Sequence, residues 1–217
     1  KLPAAETDAV CVLTRDQDHW GVAYMTYALA KQAGLNISFT HGDNELPQSR
    51  LYLMPSVNGI QIMTKSRYDE LKKRVYDGAD LYISLDNAVF SEFEEFTGLK
   101  VIDSYKCNEN GSAVINGTEI SFNRTRNIIT EATTAEILVY DNQNRPFLSV
   151  NRYGNGRVFV INAPIESNLL GKHNAFDSNV HLVYRELFTS NAKIRCAEVL
   201  GEKVISTYHP TEDGAFI

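Results

Sequence analysis

The chain has 217 residues, 43% of them hydrophobic and 22% charged, which is ordinary globular usage and enough for a packed core. A formal net charge of −6 excludes the basic stripe that a nucleic-acid footprint needs. No apolar run approaches the roughly 20 residues that span a bilayer, so no membrane partner is expected.

The apolar run Ala9 to Thr14 reads as a first strand, closed by the polar stretch Arg15 to His19. Val22, Met25, Leu29 and Ala33 then recur at helical spacing from Trp20 onward, and Gly34 supplies the stop. Asn36 to Thr40 is a second strand, and Leu51 to Met54 a third that Pro55 ends. Thr64 or Ser66 caps a helix in which Tyr68, Leu71 and Val75 share a face and Glu70 pairs with Arg74 outside. Gly78 closes it, and Leu81 to Leu85 is a fourth strand that reads as buried and parallel. Strands and helices alternating at this spacing predict an α/β fold with a mostly parallel sheet covered on both faces.

The second half changes character. Ser91 to Phe96 is a short helix ending at Gly98, carrying the solvated acids Glu92, Glu94 and Glu95. Residues 101–130 are rich in Asn, Ser and Thr, and the steps Asn110-Gly111 and Asn116-Gly117 signal hairpin turns in a small β-rich insertion. Ile137 to Tyr140, Phe147 to Asn151 and Val158 to Ile161 form an antiparallel meander at one sheet edge. Val180, Val183, Tyr184, Leu187 and Phe188 follow the pattern of an amphipathic helix that closes the domain near residue 193. Residues 194–217 read as the start of a following β-domain or a C-terminal extension. The chain opens on Lys1 and stops as a strand begins, so a piece of a longer polypeptide is expected.

Several of these stretches in order resemble one known module. They are Leu51-Tyr52-Leu53-Met54-Pro55-Ser56, Tyr68-Asp69-Glu70-Leu71 with Val75-Tyr76-Asp77-Gly78-Ala79, Phe93 to Val101, and the hairpin Asn151-Arg152-Tyr153-Gly154-Asn155-Gly156-Arg157-Val158. The set resembles the glutamine-amidotransferase-like middle domain, or trimerisation domain, of family 42 β-galactosidases and related glycoside hydrolases. The Asn-rich insertion and the acidic loop after the first strand depart from that pattern. The resemblance implies a flavodoxin-like, class I glutamine-amidotransferase-like three-layer sandwich with antiparallel edge strands. It also implies a catalytic (β/α)8 barrel in the same polypeptide as partner and a homo-oligomer (a trimer); no cofactor is expected. The parent protein would be a glycoside hydrolase and this domain a non-catalytic one.

The residues agree with that last implication. In α/β hydrolase and amidotransferase folds the turn after a strand such as Leu81 to Leu85 carries a Ser or Cys nucleophile flanked by glycines. Here Asp86 and Asn87 fill the turn with no glycine near, and Asn87 can instead cap a helix. The best ligand-facing candidates lie after the first strand, where open α/β sheets bind ligands. They are Asp16, Asp18, His19 and Trp20, with Asp18 also a helix cap and Trp20 able to pack or to stack on a sugar. Asn58, Asp86, Asn87 and Glu166 are the remaining candidates, Glu166 having no nucleophile to orient.

Two alternative functions stand beside the accessory one. A free-standing hydrolase would use Ser84 with His173 or His181, and a carbohydrate-binding domain would use Trp20. The histidines have no zinc spacing, and the stretch from Asp16 fails as a calcium loop, so no metal is expected. Cys11 reads as a buried hydrophobe, while Cys107 and Cys196 can pair or stay free. Sequons begin at Asn36, Asn110, Asn116 and Asn123, too short a motif to fix a compartment.

Overall fold

The computed structural model describes residues 5–190, 207, 209–211 and 214–216. Four parallel strands come first: β1 (Ala9–Leu13), β2 (Ile37–His41), β3 (Leu51–Val57) and β4 (Asp80–Leu85). Helix α1 (His19–Gln32) links the first two, and α2 (Lys65–Tyr76) links β3 to β4. After α3 (Phe93–Thr97) come β5 (Leu99–Ile115) and β6 (Thr118–Ala132), then β7 (Glu136–Tyr140), β8 (Pro146–Tyr153) and β9 (Gly156–Ile161). The seven-stranded sheet runs β2-β1-β3-β4-β9-β8-β7, with β9 parallel to β4 and the last two strands antiparallel.

Alternation along each strand sends side chains to two cores. Cys11, Leu53, Tyr82 and Phe159 face one side, where α1 and α4 (His181–Arg185) cover them. Val10, Met54, Ile83 and Val160 face the other, under α2 and α3. Strands β1, β3 and β4 are buried on both faces, which is why they read as largely apolar runs, whereas the edge strand β2 is half-exposed.

Three features differ from the sequence expectations. Strand β3 does not end at Pro55; it continues to Val57 through a register shift between Met54 and Val57, and Ser56 takes φ 43° at that irregularity. Of the two Asn-Gly steps only Asn116-Gly117 turns, with φ 49° and 80°. Asn110-Gly111 lies inside β5, where a Cβ on Gly111 would come within 2.4 Å of the Phe122 ring. The closing amphipathic stretch is α4 followed by a π-helical turn (Glu186–Ser190), and its apolar residues Val180, Val183, Tyr184, Leu187 and Phe188 are all buried.

The β5–β6 hairpin crosses the carboxyl edge of the sheet. Ala113, Ile115, Ile120 and Phe122 join the α1 side of the core, while Leu99 and Ile128 join the α2 side. Arg124 anchors it from a fully buried position: its Nε donates to the Asn162 carbonyl (2.8 Å) and its Nη1 to Asp141 Oδ2 (2.8 Å). His209–Thr211 and Gly214–Phe216 pair as a small antiparallel ladder, β10 and β11. Apart from Thr207 the rest of 194–217, including Cys196, lies outside the described residues, and Cys11 and Cys107 are free thiols.

Candidate functional site

The chain leaves β1 toward β2 on one side and leaves β3 toward β4 on the other, so the crevice between their carboxyl ends is where such a sheet would hold a ligand. Here the chain's own side chains occupy it. Gln17 is buried; its Oε1 accepts from Thr14 N (3.1 Å) and its Nε2 donates to the carbonyls of Pro55 and Ser56. Asp16 accepts from the amides of Ile60 (2.9 Å) and Gln61 (2.8 Å), drawing the loop after β3 over the gap. Gly59 makes that approach, since a Cβ there would fall 2.1 Å from the Asp16 Cβ.

Apart from Trp20, the other sequence candidates around the crevice are spent in the same lacing. Asp18 caps α1 through Gly21 N (2.9 Å), and His19 Nε2 meets the Thr14 carbonyl (2.6 Å). Asn58 donates to Asp86 Oδ2 (3.1 Å). Asn87 caps no helix; its Oδ1 accepts from Gly59 N (2.9 Å), and α3 begins six residues later, after Glu92. Burial pushes the Asp86 carboxyl above its ordinary range, and the Thr125 hydroxyl facing it (3.4 Å) opposes the shift. Trp20 neither packs nor hydrogen-bonds in the crevice, for its side chain is 90% exposed.

Beneath Gln17 lies a polar cluster that sequence reading saw only in part. Glu166 is fully buried after β9, yet it is far from partnerless. Its Oε1 accepts from the hydroxyls of Tyr82 (2.7 Å) and Tyr184 (2.7 Å), and its Oε2 from Ser56 (2.8 Å) and Ser84 (2.5 Å). A carboxylate offers about four acceptor positions, and all four are taken. Burial, reinforced by the Glu166 charge, pushes Tyr82 and Tyr184 well above the usual phenol range, so both remain donors. Ser84 also accepts from Ser56 N (2.5 Å), holding the left-handed Ser56 in place.

Ser84 is therefore no nucleophile with a histidine base. It is fully buried on Glu166, while His173 is exposed and His181 Nδ1 meets the Ser178 carbonyl (3.1 Å). Two signals in the sequence pointed to the cluster: a lone acid in the mostly apolar segment 163–170, and a tyrosine inside a buried strand whose hydroxyl needs a partner. Nothing local linked Ser56 or Tyr184 to them.

A separate cavity of about 270 Å³ lies between the loop after β3 and α2, lined by Ile60, Ile62, Tyr68, Val89 and Phe90 with Lys65 and Glu92. Its acids are already paired: Lys72 bridges Glu92 and lies 3.6 Å from Asp69. Among the described residues no three His, Cys, Asp or Glu side chains gather as metal ligands. No helix among them is long and apolar enough to cross a membrane.

No protein-family model matches the chain, and no curated protein matches it. Solved structures do. The β-galactosidase from Rahnella sp. R3 superposes with a TM-score of 0.70 at 12% identity over 94% of this chain and 34% of its own. The α-L-fucosidase isoenzyme 2 from Paenibacillus thiaminolyticus gives 0.71 at 11% over 97% and 37%. An exo-β-1,4-mannosidase from Opitutaceae bacterium strain TAV5 gives 0.64 at 16% over 87% and 34%. The chain thus shares its fold with glycoside hydrolase structures and spans about a third of their length.

Proposed function

We propose that this chain is a non-catalytic domain of a larger glycoside hydrolase. Its work is assembly, packing against a catalytic (β/α)8 barrel or between subunits, as a trimer by resemblance. Its α/β part, residues 1–193, is read as a flavodoxin-like, class I glutamine-amidotransferase-like sandwich, with residues 194–217 opening a following β-domain. The order β2-β1-β3-β4-β9 supports this, being the flavodoxin-like order 2-1-3-4-5 with β9 as the fifth strand.

One observation carries the non-catalytic reading. Gln17 fills the ligand crevice, and the carboxylate beneath it has no acceptor position left for a general base. The test is turnover of aryl β-galactosides, β-mannosides and α-fucosides by the 217-residue chain and by the full gene product. The chain alone should be inert and the full product active. Turnover by the chain would overturn the non-catalytic role; a full product inert on every glycoside would overturn the hydrolase assignment.

A further inference from the structure

Surface helices carry charge on the side that faces water. Helix α1 does not. Its one lysine, Lys31, turns inward: it is buried, donates to Asn36 Oδ1 (2.8 Å) and lies 5.5 Å from the Tyr27 ring. The outward positions i, i+4 and i+7 instead hold Trp20, Tyr24 and Tyr27, exposed by 90%, 55% and 39%. Phe176, 49% exposed, extends the ridge. Its ring sits 6.0 Å from Tyr24, edge to face, and Gln32 Nε2 ties its carbonyl down at 2.7 Å.

Taking roughly 150–250 Å² per aromatic side chain, these four rings leave on the order of 500 Å² of aromatic surface in water. That is the scale of the largest apolar patch on a monomer and over half of the ~800 Å² that one partner gives a standard interface. The composition is that of an interface core, rich in Trp and Tyr, with Lys31 and Asp177 at its margin. The ridge projects from a helix whose inner face is packed by Met25, Leu29 and Ala30, so it is a rigid anchor. Small ligands take concave sites, and this is a convex one.

We propose that the Trp20–Tyr24–Tyr27–Phe176 ridge docks into an apolar groove on another folded domain of the same polypeptide. The inference rests on the accessory-domain reading: about two thirds of each superposed hydrolase lies outside the stretch this chain spans. The experiment is hydroxyl-radical footprinting with mass-spectrometric readout at Trp20 and Tyr24, on the full gene product and on the 217-residue chain.

Oxidation in the full product should be roughly tenfold slower than in the chain, the loss of water access that burial in an interface core brings. Equal rates would overturn the docking face, and if that same sample cleaves aryl glycosides the hydrolase reading survives without it. Protection that grows with concentration of the isolated chain would overturn it in favour of a second copy. Protection by added β-linked oligosaccharides would overturn it in favour of a sugar. Trp20→Ser with Tyr24→Ser should leave the melting temperature of the isolated chain unchanged while uncoupling this domain's melting from the rest of the full product. Coupled melting in that variant would also count against the proposal.

Discussion

Helices α1 and α2 cover opposite faces of one sheet and bury the same kind of side chain: Met25, Leu29 and Ala30 in one, Tyr68, Leu71 and Val75 in the other. Their outer faces differ in charge, although α2 also ends on one exposed aromatic, Tyr76. Seven of the twelve residues of α2 are charged, with Glu70 held by Arg67 (2.5 Å) and Arg74 (3.4 Å) and Lys73 by Asp77 (3.0 Å). On α1 three aromatic rings stand in those places. The core dictates an inner face, so an outer face records its surroundings, water for α2 and a protein surface for α1.

The largest effect is expected where both faces lose their common frame. Glu166→Ala strips the shared acceptor from four buried hydroxyls that belong to β3, β4 and α4, and should cost at least about 3 kcal/mol in urea unfolding. A loss below about 1 kcal/mol would mean that the hydroxyls re-pair without it. Next come the two inner faces: Leu29→Ala and Leu71→Ala remove equally buried side chains and should each cost about 2–5 kcal/mol. If only one of them did, the contrast would not be confined to the outer surfaces.

Asp86, at the rim where the two halves meet, sharpens the picture through pH. Burial raises its folded-state pKa, so its contribution is fullest below the ordinary Asp value of about 4 and is lost as pH rises through the folded value. Asp86→Asn stays neutral throughout; it should melt higher than the parent at pH 7, with the gap closing on acidification. A pH-independent gap would rule this out. The smallest effects belong to the outer faces. Trp20→Ser and Asp77→Ala should each change stability by no more than about 0.5 kcal/mol, yet only Trp20→Ser should lower binding of a hydrophobic dye. Equal dye binding would erase the distinction between the helices.

Strands β1 to β4 were legible to within a residue or two at their starts because β1, β3 and β4 are largely apolar runs and β2 a short alternating one, each bounded by a polar turn or a glycine. Gly34, Gly78 and Gly98 end their helices with positive φ, as their positions implied. Pro55 misled because the rule that proline ends a strand assumes an unbroken ladder, and here the register shifts beside it. Asn110-Gly111 misled because turn chemistry and close packing both call for glycine; only the Ile115–Thr118 register decides between them. The Glu166 cluster joins positions 56, 82, 84, 166 and 184, and apart from the strand spacing of 82 and 84 no local period links residues that far apart. The exposure of Trp20 was hidden for another reason: apolar spacing tells that a residue seeks cover, not which molecule supplies it.

The position of β9 also governs how the chain comes together. It lies beside β4, although residues 86–155 separate them. Closing so long a loop is slow, because its entropy is lost before any contact rewards it. The β5–β6 hairpin can form on its own in about 1–10 μs and shortens the stretch that must be closed. Until Gly156–Ile161 leave the ribosome, however, β4 presents a bare apolar edge, the feature that recruits stray strands. The interval between synthesis of β4 and of β9 is thus when this chain is most exposed to aggregation, and truncation anywhere before residue 156 makes that interval permanent.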